Sequence, residues 1–489
     1  MSLSWVLSIV LTALLIAGIG FTQYRPRSSS GASVSDSAFA KGADGRARDG
    51  SNPNSKRPED AEIRRQFLDA VDTFDSAVVR LDSALVRLSI GGSPDQARAE
   101  FRQARYAYKA IEPLVERYAP VAALTINGPA IDKPNEDSPT LAIPPNGFQV
   151  IEVSLYPRVL REEIPAMRQE VAVLRVGAKR IRELVQYTSF TDEQLFDAVR
   201  VHMGRVMTLG LAGFDATLSQ DALAEAAASI RGVRGMLSRF EAIARQRDAS
   251  AWAALDQTLT RVLYMLDTAR SFNDFDRLTF IVSGATPLVT ALDRVRATLG
   301  IPAMTDRRTW KPSALTVFEP GAFDLSTYAP PYAQSTSREI VDLGCALFAD
   351  PLLSEHTERS CASCHHPTRA FTDGLPKSAL SHSNLPVPSG NTNIRNTPTL
   401  LGAAYQSSLF ADQRVAYLED QVTEVLANPA EMGGGAAAAA DRIQRVVRYQ
   451  AAFARAFGAH PANAEPQREV NELRLRMALA AYMLSLIHI

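Results

Sequence analysis

Between residues 61 and 300 the apolar positions recur in steps of three and four. Phe67, Val71, Phe74, Val78, Leu81, Leu85 and Leu88 form one continuous stripe, the spacing of one face of a helix. Gly91-Gly92-Ser93-Pro94 ends it. A second helix is predicted with Phe101, Ala104, Tyr108, Ile111, Val115 and Tyr118 on one face. The stretch from Pro120 to Pro145, rich in Pro, Asn and Asp, reads as a long loop. Stripes resume at Met167, Val171, Leu174, Ala178, Ile181 and Val185, and again at Leu195, Val199, Met203 and Val206. Two more run through Leu223, Ala227, Ile230, Leu237 and Phe240, and through Trp252, Leu255, Leu259 and Leu266. No period-two run of strand length interrupts them. The expectation is a mainly α fold with an antiparallel helix bundle over residues 61–300, its stripes forming the core.

The flanks differ in texture. Leu3 to Phe21 carries no charge and is long enough to cross a bilayer as a helix. Residues 1–24 are therefore expected to be a signal or anchor helix. Ala38-Phe39-Ala40 resembles a cleavage site but lies far past the apolar run, which favours an anchor. Residues 25–60, dominated by Ser, Gly, Asp, Arg and Pro, read as a disordered tether. The Pro-rich, irregular stretch 301–334 reads as an interdomain linker, with a last domain over 335–489.

Composition changes the picture little until the cysteines are counted. Hydrophobic residues make up 46% of the 489 residues, charged residues 21%, and the formal net charge is -1. Neither a basic surface for nucleic acid nor an acidic solvating tail is indicated. There are 3 Cys and 7 His, too few thiols for a disulfide framework. Two of them stand in Cys361-Ala-Ser-Cys364-His365. Random placement of so few residues gives about 0.0003 such matches. A structural zinc site needs a second ligand pair, and none follows at finger spacing. A dithiol redox pair leaves the histidine unexplained. The pattern is that of covalent c-type haem attachment: two thioethers, and an adjacent imidazole as axial iron ligand. Cys345, in the apolar run Leu343-Gly-Cys-Ala-Leu-Phe348, is expected to be a buried packing thiol.

The haem motif also bears on location. Arg25 and Arg27 follow the apolar N-terminal run and no positive residue precedes it, a bias that by itself leaves the rest of the chain in the cytoplasm. Haem c attachment in bacteria takes place outside the inner membrane, so the expectation is a periplasmic protein, exported or tethered to the membrane through the N-terminal helix.

Two short motifs stand out inside the bundle, Gly147-Phe-Gln149-Val-Ile-Glu152 and Gly210-Leu-Ala-Gly213-Phe-Asp215. Together they resemble imelysin-like helical domains, where a Gly-x-His-x-x-Glu motif opens a helix and its His and Glu share a face suited to a metal. Here the histidine is Gln149, a poor ligand, and a buried polar pair at a helix start is expected instead. His202, among core residues, is expected to be a hydrogen-bonded core histidine.

From Ser337 onward the chain resembles the bacterial dihaem cytochrome c peroxidase family, which includes the MauG-like enzymes. The resemblance rests on Leu343 to Pro351, the haem motif, Phe371-Thr-Asp373-Gly374, Arg395-Asn396-Thr397-Pro398-Thr399-Leu400, Leu409-Phe410-Ala-Asp412-Gln-Arg414 and Asn428-Pro429-Ala-Glu431-Met432, in that order. It implies a cytochrome c-like first haem domain. His365 is then the proximal iron ligand and Cys361 and Cys364 are the thioether anchors. Glu431 is the distal acid–base catalyst and Gln421 the amide that orients peroxide. His382, one residue past its aligned place, is a distal axial ligand, and Asn396 belongs to a calcium site. The implied reaction is reduction of hydrogen peroxide by electrons from a cytochrome c or similar donor. The alternatives are a MauG-like oxidase acting on a protein substrate, or a monohaem electron-transfer or sensor protein without turnover. Two departures matter: the tryptophan between the haems is replaced by Ala411, and a second Cys-x-x-Cys-His is not present before Ile489. The haem region is therefore expected to be C-terminally incomplete, with a second haem in the full-length protein. A homodimer is among the assemblies the resemblance allows.

Overall fold

The computed structural model describes residues 58–134, 141–334, 336–378, 395–406, 408–458 and 469–486. The N-terminal helix, most of the tether and His382 lie outside the described residues. Two compact units meet in sequence between Thr305 and Asp306. The fold is mainly helical; the strands among the described residues are a two-residue pair, Lys133–Pro134 with Ala142–Ile143.

The first unit is built from long helices: α1 (Pro58–Ser89), α2 (Pro94–Tyr118), α3 (Pro120–Asn127), α4 (Phe148–Leu155), α5 (Ile164–Tyr187), α6 (Asp192–Arg205), α7 (Ala222–Leu237), α8 (Glu241–Asp267) and α9 (Arg277–Thr298). The stripe on α1 is buried from Phe67 to Leu88, and those on α5, α6, α7 and α8 are buried as well. These faces meet: α1 packs on α2 and α5, α2 on α7, and α8 on α7 and α9. Helix starts follow local chemistry. Thr191 accepts a hydrogen bond from the Gln194 N–H at the head of α6, and Pro94 occupies the first turn of α2, where no intrahelical donor is lost.

One expectation fails here. Pro120–Asn127 is helical, not loop. Pro120 sits in the first turn, where its fixed φ starts a helix, and the apolar run behind it buries Ala122, Ala123 and Ile126. Gly147 then starts α4 at φ 89 with its Cα pressed on the Ile126 carbonyl, so that a side chain there would collide with backbone. By length and hydropathy α9 could cross a membrane, but Leu288, Val289, Leu292 and Val295 belong to the bundle core.

The second unit holds α10 (Arg338–Phe348), the single turn α11 (Cys361–Cys364), α12 (Leu418–Ala427), α13 (Gly435–Gln444), α14 (Val447–Phe457) and α15 (Glu472–Ser485). Ser337 caps α10 by accepting from the Ile340 N–H. Ile340, Leu343, Leu347 and Phe348 face the core with Leu475, Leu479 and Leu484. α10 and α15 cross at Gly344, whose Cα lies against the Ala478 backbone closely enough to exclude any Cβ. Cys345 is exposed, contrary to the packing role expected for it. It follows Gly344 by 100° around α10, which turns it off the buried face. Within residues 301–334, expected as a linker, Arg308, Thr309, Trp310 and Thr316 are buried, and Trp310 bridges to Phe323.

Candidate functional site

Cys361 and Cys364 stand at the two ends of α11, a single helical turn. A turn this short does not hold itself together; a reciprocal cap does it here. The Ser360 side chain bonds the Ser363 N–H, and the Ser363 hydroxyl accepts from the Ser360 N–H at 3.0 Å. Both thiols are free. Burial pushes the Cys361 thiol up to about 12 and raises that of Cys364. Neutral thiols disfavour zinc thiolate chemistry and dithiol exchange.

His365 follows directly. Its Nδ1 lies 3.0 Å from the Phe371 carbonyl. A carbonyl only accepts, so Nδ1 carries the proton and the lone pair resides on Nε2. Burial lowers its basicity, keeping the imidazole neutral. The carbonyl is aimed by a strained turn: Ala370 and Phe371 both take left-handed φ values, 52 and 57. The segment from Arg395 to Leu400 braces that turn. Thr399 donates to the Ala370 carbonyl at 2.5 Å, and Thr397 donates to Asp373 Oδ2 at 3.0 Å. The Phe371 N–H returns to the His366 carbonyl at 2.8 Å. His366 itself is exposed.

Glu431 lies in the turn after α12. Asn428 builds this turn: its Oδ1 accepts from the Ala430 N–H at 3.0 Å, and its carbonyl accepts from the Glu431 and Gly433 N–H groups at 3.0 and 2.9 Å. The Asn428 Nδ2 donates to Glu431 Oε1 at 3.0 Å. The Glu431 side chain reaches the surface, yet surrounding protein withdraws it from water enough to raise its carboxyl, against the opposing Asn428 bond and Arg414 charge. Its charge in turn is felt at the Cys364 thiol, so the carboxyl and the haem motif share one neighbourhood.

Gln421 is half-buried on α12, and among the described residues no hydrogen bond joins its side chain to Glu431 or His365. Asn396 is exposed, in the segment that braces the His365 turn. Among the described residues no group of three or more His, Cys, Asp or Glu is arranged to hold a metal ion. Two contributors escaped the sequence reading. The Phe371 carbonyl is a backbone group with no sequence signature. Asn428 does have one, since Asn-Pro marks a turn, but its second bond, to Glu431, does not show in a string.

The residues present fit a covalent c-type haem. The two neutral thiols stand one helical turn apart, as thioether attachment requires, and the neutral imidazole has Nε2 as its lone-pair nitrogen. The model of the family described as di-haem cytochrome c peroxidase matches residues 338–489. The methylamine utilization protein MauG of Methylophilus methylotrophus is 32% identical over 159 residues, covering 32% of this chain and 42% of its own. The cytochrome c551 peroxidase of Nitrosomonas europaea is 31% identical over 120 residues, covering 24% and 34%. A solved diheme peroxidase, BthA from Burkholderia thailandensis, shares 31% identity over 32% of this chain and 40% of its own, with a TM-score of 0.25. This chain thus spans less than half the length of these relatives.

Proposed function

We propose that this chain, whose residues 338–489 belong to the di-haem cytochrome c peroxidase family, is part of a periplasmic haem peroxidase. It reduces hydrogen peroxide to water with electrons from a cytochrome c or similar donor. The observation that carries the reading is the tautomer of His365, fixed by the Phe371 carbonyl beside two neutral cysteines and within the field of Glu431.

A haem held here would supply the redox centre for two-electron reduction of peroxide. The protein supplies the rest. Cys361 and Cys364 would hold the macrocycle through thioethers, and His365 Nε2 would be the iron ligand. Glu431 would take the proton from one peroxide oxygen and return it to the other, so that water leaves rather than hydroxide. Its raised carboxyl suits both steps. Asn428 holds that carboxyl in place, and Gln421 orients the peroxide by hydrogen bonding. The balance is one peroxide, two protons and two electrons to two waters.

Several finer features belong to the same proposal: a second haem in the full-length protein, His382 as a distal ligand at rest, calcium near Asn396, tethering through residues 1–24, and a homodimer. Similarity to the methylamine utilization proteins supports one second reading, an oxidase that draws its electrons from a protein substrate.

The test is direct. Protein matured in a host that attaches haem c should gain the mass of a haem, show a Soret band, and consume peroxide while oxidising a reduced small cytochrome. Haem attachment without peroxide consumption would reduce the protein to an electron carrier. Peroxide consumption that leaves the cytochrome reduced would favour the oxidase.

A further inference from the structure

The haem unit carries a line of side-chain contacts from His365 to the surface. Phe348, at the end of α10, is 2% exposed. Its ring centroid lies 6.5 Å from that of His365 and 6.2 Å from that of Phe371, whose carbonyl holds the same histidine. The Tyr482 ring of α15 stands 5.1 Å from Phe348 at an interplanar angle of 60°. These are the separations of rings in contact. The Tyr482 hydroxyl bonds the Cys345 side chain, and Cys345 is exposed. Gly344 makes room for this arrangement. A Cβ there would lie 2.9 Å from Tyr482 Cβ, so the missing side chain is what admits the tyrosine against α10.

The members of this line differ in what they can do. A phenyl ring resists oxidation, whereas a phenol yields an electron once its O–H proton has somewhere to go. Tyr482 is the first phenol on the way out from His365. Burial pushes its hydroxyl up to about 12, so at neutral pH it starts protonated and sheds that proton on oxidation. A thiol can repair a phenoxyl by giving it a hydrogen atom. An exposed cysteine by itself implies nothing; this one touches the phenol at the end of a line that begins at His365.

We propose that Phe348, Tyr482 and Cys345 form an exit for oxidising equivalents, used when peroxide has reacted and no donor is at hand, a use that rests on the peroxidase reading. An electron passes from Tyr482 past Phe348 toward His365, and the phenol proton leaves to water. The Cys345 thiol then gives a hydrogen atom to the phenoxyl oxygen, which restores the tyrosine. The sulfur radicals of two chains couple as a disulfide. Two thiols thus supply two electrons and two protons to one peroxide, and two waters form. The oxidised product lies at the surface, where a reducing thiol reverses it, and the side chains around His365 are spared.

The experiment mixes the haem-bearing chain and its variants with one equivalent of a peroxyacid and no donor. A peroxyacid releases a carboxylate, so it does not need the proton relay assigned to Glu431. The wild type should give a dimer joined at Cys345, identified by mass spectrometry of its peptides. Cys345→Ser should give no dimer and accumulate a tyrosyl signal in electron paramagnetic resonance, one that narrows when the tyrosine rings are deuterated. Tyr482→Phe, which lacks one hydroxyl, should keep its Soret band and show neither product. A tyrosyl signal absent from Cys345→Ser, or persisting in Cys345→Ser/Tyr482→Phe, overturns the proposal. So does a disulfide that forms as fast in Tyr482→Phe as in the wild type, because the thiol is then oxidised directly from solution. Hydrogen peroxide tested in parallel separates the two readings: if it is left unconsumed while the peroxyacid yields the Tyr482 signal, the exit stands and the peroxidase reading falls.

Discussion

Glu431 and His202 are both ionisable groups displaced by burial, with opposite consequences. The Glu431 carboxyl is raised above 4.5, so the acid limb of peroxide turnover should lie above that pH, rising as the carboxylate forms. Glu431→Gln should remove the limb and lower turnover by about 10²–10⁴-fold with the Soret band unchanged; a steady-state pH profile checks both. His202 is lowered to about 4, chiefly by burial. The fold prefers neutral imidazole, so its contribution to stability is whole above about pH 6.5 and is lost as the pH falls toward 4. The amount at stake is on the order of 3 kcal/mol. Glu116, pushed up to about 7 by burial, runs the other way, losing its contribution as the pH rises through 7. Comparing the wild type with His202→Gln in urea titrations from pH 4 to 7 isolates the histidine: the variant should show the flatter acid limb. Little of this was readable beforehand. The haem motif announces itself because its chemistry needs consecutive residues. Lys109 and Glu112 share one turn of α2, but Asp215 and Glu225 come more than 100 residues later, and only folding makes the two pairs neighbours.

At the scale of elements, the long helices were legible and the tight junctions were not. Phe67 to Leu88 bury every predicted position because a 3.6-residue period leaves no other face to hide. The stretch from Pro120 was read as loop from its Pro, Asn and Asp content, whereas Pro120 serves as a first-turn proline, so α3 was missed. Cys345 was assigned to the core by the apolarity of its neighbours. The angular position on α10, counted from Ile340, Leu343 and Leu347, places it outside. Gly344 is the junction that matters most, because it lets α10 and α15 meet backbone to backbone beneath Phe348 and Tyr482. Gly344→Ala should force the helices apart and cost about 1–3 kcal/mol. A lowered melting temperature of the haem unit would show it, and an unchanged one would mean the crossing is looser than described.

For the whole molecule, the two units call on different sources of stability. The bundle closes a continuous core from its own stripes and satisfies its buried charges internally. Residues 58–305 produced alone should therefore fold without haem, giving a cooperative helical melt and dispersed amide spectra. A molten product would show that the first unit depends on the second. The haem unit instead depends on turns: a four-residue helix held by a cap, a left-handed pair at Ala370 and Phe371, and an Asn-Pro corner. These were named in the sequence as motifs, but what each turn holds was not legible. The motif letters specify side chains, whereas the working parts at His365 include a carbonyl.

Asn428 carries a consequence of its own. Its carboxamide closes the corner with one atom and steadies Glu431 with another. A library of variants screened only for solubility would keep this asparagine, and so would a library screened only for peroxide consumption. At position 428 the two selections return the same answer, so the residue's persistence among descendants of this chain would not reveal which pressure preserved it.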